Sequence, residues 1–73
     1  MTTLNLVLEA ISEQLGQSDY AIEESLLSYG ADSLDFLEIL MILEDRLEII
    51  LNEEDFSLSM SIRKFAETLN EHL

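Results

Sequence analysis

GADSLDFLEILMILEDRL, the stretch from Gly30 to Leu47, decides the fold of this 73-residue chain. It opens on a turn residue and a helix-start signature, Gly30-Ala31-Asp32-Ser33, then runs a full helix length without Pro or Gly. At 100° per residue, Phe36, Ile39, Leu40, Ile42, Leu43 and Leu47 share one side, which reads as core. Ser33, Leu34, Leu37, Glu38, Met41, Glu44, Asp45 and Glu48 share the other. A solvated back face need only be polar, yet this one sets Leu34, Leu37 and Met41 among carboxylates. Exposed apolar groups ringed by like charge mark a docking surface. Ser33, at the top of that face, is the one plausible chemical handle, although by spacing alone Ser and Asp there read first as helix caps.

The flanking segments extend the helical pattern. Thr2 and Thr3 can cap a first helix running to about Leu15, with Gly16 as its stop. Leu4, Val7, Leu8, Ile11 and Leu15 form its inner stripe, while Asn5, Glu9, Ser12 and Glu13 face water. Residues 17 to 31 form a long first loop without a strong period, in which Ile22, Leu26 and Leu27 are expected to turn inward and residues 22 to 29 can supply a helical turn. Beyond the second helix, Ile49-Ile50-Leu51 reads as a buried crossing. Asn52 then caps an acidic turn, Glu53-Glu54-Asp55, with Phe56 and Met60 anchoring a short third helix. Ser59 or Ser61 caps the last helix, whose stripe is Ile62, Phe65, Ala66 and Leu69; Arg63 and Lys64 lie on its outer side. The expected fold is all-α, a small four-helix bundle of three longer helices and one short helix with a long first loop.

Composition narrows the function. Sixteen acidic residues against three basic ones give a formal net charge of −13. Nucleic acid and anionic membrane surfaces are therefore poor partners, because both are gripped by Lys and Arg. Basic protein patches are the natural ones. Cysteine is absent, so any thiol chemistry arrives on a prosthetic group. No stretch approaches the ~20 apolar residues of a membrane span. The amino terminus lacks the basic region of a secretory signal, which suggests the cytoplasm and leaves a removed organellar transit segment open. Catalysis has little support. His72, one residue from the carboxyl end, is expected to fray, and a small bundle offers no deep cleft to set one carboxyl's pKa against another's. Glu53-Glu54-Asp55 lacks the alternating ligands and central Gly of an EF-hand, so no metal site is expected.

Asp32-Ser33-Leu34 following a Gly, with Asp35, Glu38, Met41 and Glu44 at helical spacing, resembles the acyl carrier protein family over nearly the whole chain. The resemblance implies one carrier-like domain over residues 1–73. It implies that Ser33 carries a 4′-phosphopantetheine arm, that Asp32 belongs to the motif and caps the helix, and that the arm's thiol holds acyl groups as thioesters. Leu34, Asp35, Leu37, Glu38, Met41, Glu44, Asp45 and Glu48 become the partner-binding face. A phosphopantetheinyl transferase and acyl-transfer or condensing enzymes with basic patches become the partners. A monomeric, non-catalytic protein of fatty-acid or polyketide assembly is implied. The chain departs from the family in three places: Ser28-Tyr29-Gly30 replaces the frequent Asp-Leu-Gly, Asn52 stands where Pro is common, and Arg46 replaces an acidic choice. On the helical wheel Arg46 falls at the edge of the core face, where it pairs toward Asp35 or covers apolar surface. Phe36 and Ile42 are bulky where fatty-acid carriers often leave room for a long chain. Two rivals remain. One is an aminoacyl or peptidyl carrier, whose motif usually has Gly-Gly before Asp-Ser or His-Ser; the other is an acidic helical adaptor without a prosthetic group.

Overall fold

The computed structural model describes residues 2–73, and all regular structure in that span is helical. Three α-helices carry it: α1 (Thr3–Leu15), α2 (Ser33–Leu47) and α3 (Ile62–Glu71). Two short 3₁₀ turns interrupt the connections, Leu26–Tyr29 and Glu53–Asp55. The first helix begins and ends as its sequence dictates. Thr2 Oγ1 accepts the Asn5 N–H at 3.1 Å, and Gly16, at φ 82°, closes the helix through its own N–H to Ser12 O.

α1 packs against both α2 and α3. Val7, Ala10 and Ile11 from α1 meet Ile39, Leu40 and Leu43 from α2 and Ile62, Phe65, Ala66 and Leu69 from α3 in one buried cluster. Phe65 organises its far end, with Phe56 at a centroid distance of 4.7 Å and Phe36 edge-on at 6.4 Å. The long first loop is fastened at both ends. Tyr29 Oη accepts the Ala21 N–H at 2.6 Å, and the Tyr20 ring stands edge-on to Tyr29 at 4.8 Å. Further along, Ile62 and Arg63 donate their N–H groups to Glu24 O and Ile22 O at 2.9 and 2.8 Å. Loop carbonyls thereby satisfy donors that the start of α3 would otherwise leave free. Ser61 Oγ takes the next one, from Lys64.

The short third helix takes a different form, a three-residue 3₁₀ turn at Glu53–Asp55 with no buried residue. Asn52 Oδ1 accepts the Glu54 N–H, two residues on, at 3.1 Å, which tightens the turn. Three adjacent carboxylates give a helix no apolar stripe to lay on the core, and a short helix without packing does not persist. Phe56 instead adopts extended backbone and drops into the core alone. Two other apolar residues lie outside where the sequence suggested burial: Leu27 is half-exposed and Ile50 is 90% exposed. Of the crossing 49–51, only Leu51 is buried.

His72 is held, contrary to the expected fraying. Its Nδ1 donates to Thr68 O at 3.0 Å, its Nε2 lies 3.0 Å from Asp55 Oδ2, and its ring packs on Phe56 at 5.8 Å. Both ring nitrogens face oxygens that only accept, so imidazolium suits the site better than neutral imidazole. The Asp55 carboxylate, then the Thr68 carbonyl, raise its pKa, and Glu71 adds to the effect. A group whose pKa rises on folding stabilises the fold below its unfolded pKa, and that gain fades as pH climbs through the folded value. The melting temperature should therefore fall as pH rises from the ordinary histidine value, about 6.5, through the raised value of the folded state. His72→Gln should flatten that slope in a pH series of thermal melts.

Candidate functional site

The start of α2 is built by a reciprocal cap. Asp32 Oδ1 accepts the Asp35 N–H at 2.9 Å, and Asp35 Oδ2 accepts the Asp32 N–H at 3.1 Å. Gly30 precedes it in the left-handed region at φ 82°, a conformation that favours glycine over any residue with a Cβ. Ala31 is buried and anchors the turn. Ser33 follows as the first helical residue, and it is exposed. Asp32 supplies the cap, so the Ser33 hydroxyl is not consumed by capping; among the described residues it has no hydrogen-bond partner.

Ser33 also sits where negative charge is welcome. The N–H groups of Ser33 and Leu34 precede the first intrahelical acceptor and meet no acceptor among the described residues, while those of Asp35 and Phe36 go to Asp32 Oδ1 and Asp32 O. Two free donors and the positive end of the helix dipole would face a phosphodiester on this side chain. That geometry fits a phosphate-linked group on Ser33. It offers no base to activate the hydroxyl. The carboxyl of the neighbouring Asp32 is tied to a backbone N–H.

The exposed side of α2 runs down from that point. Leu34, Leu37 and Met41 are 65%, 39% and 58% exposed, with Glu38, Asp45 and Glu48 beside them and no ion-pair partner for any of the three among the described residues. The arginines are occupied elsewhere. Arg63 pairs with Glu23 at 3.0 Å, and Arg46 leans onto α1, bonded to Glu13 and 3.4 Å from Glu9. The negative field of the α2 face thus stays unneutralised by the chain's own arginines. Arg46 leans toward α1 and not toward Asp35, and its pairing leaves the face untouched.

Two of the acidic residues singled out from sequence are spent inside the fold. Asp35 lies off the exposed third of the helix, with Oδ1 accepting Gln14 Nε2 at 3.0 Å from α1. That bond, followed by the Asp32 N–H, holds its carboxyl below the usual range. Glu44 Oε2 accepts the Leu51 N–H at 2.8 Å. Both bonds join residues far enough apart that no local pattern announces them. Beside Glu44 a cleft of ≈ 380 Å³ lies between α2 residues Leu37, Leu40 and Met41 and the segment Leu51, Asn52 and Glu53.

Comparison with known proteins points the same way. The model of one protein family, described as "Phosphopantetheine attachment site", matches residues 5–69. A curated protein of Exiguobacterium sibiricum named "Acyl carrier protein" is 43% identical over 51 residues, covering 66% of this chain and 65% of that relative. The aligned part thus spans a little under two thirds of the relative's length. No solved structure matches.

Proposed function

Because the chain belongs to the phosphopantetheine attachment-site family, its prosthetic group is covalent 4′-phosphopantetheine, and we propose that the arm is linked through Ser33 Oγ. The observation that carries this reading is the division of labour at the start of α2, where Asp32 caps and Ser33 stands exposed with two free N–H groups behind it. The whole chain, residues 1–73, then acts as one acyl carrier domain in the cytoplasm as a monomer, passing thioester-bound intermediates between enzymes of fatty-acid or polyketide assembly. Its bound group supplies the thiol that this cysteine-free chain lacks.

The chain's own part is to present and to orient. With no base beside Ser33, a phosphopantetheinyl transferase must bring the base and the metal ion that activate the hydroxyl. Basic patches on that transferase, and on acyl-transfer and condensing enzymes, meet Glu38, Asp45 and Glu48, while Leu34, Leu37 and Met41 supply the contact that excludes water. Glu44, lining the cleft with Leu37 and Met41, completes this partner face at its edge, whereas Asp35, with one oxygen on Gln14 and the other on the Asp32 N–H, stays outside it. Among the described residues no helix is long and apolar enough to cross a membrane. Intact-mass measurement after incubation with CoA and a broad-specificity transferase tests the reading: one arm should be gained. No gain favours the unmodified adaptor, and loading by amino acids in preference to acyl groups favours the peptidyl carrier.

Cargo size follows from packing. Val7, Ile11, Ile39, Leu43 and Leu69 are fully buried, and Phe36 closes on Phe65 between α2 and α3. Interiors this well buried leave little room for a chain of methylenes, and the cleft by Leu51 is open to solvent and does not enclose. An attached long saturated acyl group should raise the melting temperature by less than about 2 °C, against the ~4–8 °C that 1 kcal/mol of added burial gives a domain of this size. Calorimetry on the acylated and free-thiol forms measures the difference.

A further inference from the structure

We infer that Met41 is an oxidation-sensitive site on the docking face: hydrogen peroxide converts its thioether to the sulfoxide, and the chain then takes up its arm more slowly. The inference rests on the carrier reading and concerns how that same face is regulated. The chain has three methionines and no cysteine, so thioethers are its only sulfur. Met41 is 58% exposed on α2, and its Sδ has no hydrogen-bond partner among the described residues. Met60 is held differently. It is half-buried against the core, and its Sδ accepts the Ser57 N–H at 3.2 Å. Solvent reaches the Met41 sulfur freely, whereas packing and an N–H screen that of Met60.

The reaction needs only the peroxide. A sulfur lone pair attacks one peroxide oxygen, the O–O bond breaks as the S–O bond forms, and the other oxygen leaves as water with both hydrogens. The thioether gives up two electrons and the peroxide takes them. The product is uncharged and polar, on a side chain that is not part of the core, so the fold loses little. The docking face loses more. Met41 continues the apolar row of Leu34 and Leu37, lies between Glu38 and Asp45 along the helix, and lines the cleft with Leu40 and Leu51. Docking that excludes water from this row must strip the new sulfoxide oxygen of its own water, an unfavourable step where the partner offers an apolar surface. The α2 carboxylates are unchanged. Long-range attraction therefore persists, while the contact it leads to weakens.

Treating the unloaded chain with hydrogen peroxide, ended by catalase, tests this. Peptide mass mapping should find Met41 oxidised at least about threefold faster than Met60. The oxidised chain should take up the arm about five- to fiftyfold more slowly, and a methionine sulfoxide reductase should restore the rate. Because the sulfoxide is neutral, the defect should be as large at about 1 M salt as at about 0.1 M, which a defect in steering would not be. In Met41→Leu the same treatment should leave loading within about twofold of that variant's own untreated rate. Oxidised wild type should melt within about 2 °C of the untreated chain. Equal loading before and after oxidation of Met41 overturns the inference. So do Met60 reacting as fast as Met41, a defect that persists in Met41→Leu, and a melting temperature that falls with the rate, which places the effect in the fold. An untreated chain that gains no arm refutes the carrier reading, and this inference with it, before any peroxide is added, so the two failures are read apart.

Discussion

Replacing Ser33 with alanine should abolish uptake of the phosphopantetheine arm and leave the fold standing. The two halves of that expectation have different causes. Uptake is lost because the modified oxygen is gone, and intact mass after transferase treatment should show no gain at all. The fold survives because Ser33 caps nothing: Asp32 accepts the Asp35 N–H and Asp35 answers with the Asp32 N–H. Ser33 is exposed and sits inside the first turn, where alanine is the better helix former, so stability should move by less than about 0.5 kcal/mol. Asp32→Ala is the counterpart. It breaks the reciprocal cap and should cost about 1 kcal/mol, fraying the turn that presents the hydroxyl. Loading should then slow without vanishing. If Ser33→Ala still gains the arm, another hydroxyl carries it and the assignment of the site fails.

The same two residues show what the sequence carries and what it does not. The ends of α1 and α2 are legible because each is written locally. Thr2 and Asp32 are caps in both readings, Gly16 closes α1, and the apolar stripe of each helix meets its neighbours as its period requires. The exposed apolar row on α2 is legible for the same reason, since Leu34, Leu37 and Met41 fall on the wrong side of the wheel for a core. What stays hidden is long-range. Gln14 to Asp35, Arg46 to Glu9 and Glu13, and His72 to Asp55 pair residues from separate elements, and a helical period says nothing about which element lies opposite. The second 3₁₀ turn was obscured by its own cap: Asn52 followed by acids looks like a helix start. Only the absence of an apolar stripe over residues 53 to 55 hinted that no helix would follow. Ile50 misleads for the opposite reason, because three apolar residues in a row suggest burial when the crossing buries Leu51, half-buries Ile49 and turns Ile50 out.

Reversing two charges on α2, Glu38→Lys with Asp45→Lys, should slow arm loading by ten- to a hundredfold at low salt. Neither residue has an ion-pair partner among the described residues, so the change breaks no internal pair. Each reversal takes two units off a net charge of −13, which eases self-repulsion, and the melting temperature should hold or rise. The two positions lie seven residues apart, two turns along one face, with Met41 between them. A basic patch approaching that face would meet repulsion at both ends of the apolar row. Such charges act chiefly on encounter, where steering changes association rates by about 10–10³-fold. The defect should therefore shrink as salt shortens the screening length from ~10 Å at 0.1 M to ~3 Å at 1 M. Loading rates measured across that range separate the causes. A defect that closes with salt places the lost energy in long-range attraction, one that persists in a folded variant places it in direct contact, and equal rates at low salt would remove Glu38 and Asp45 from the docking face altogether.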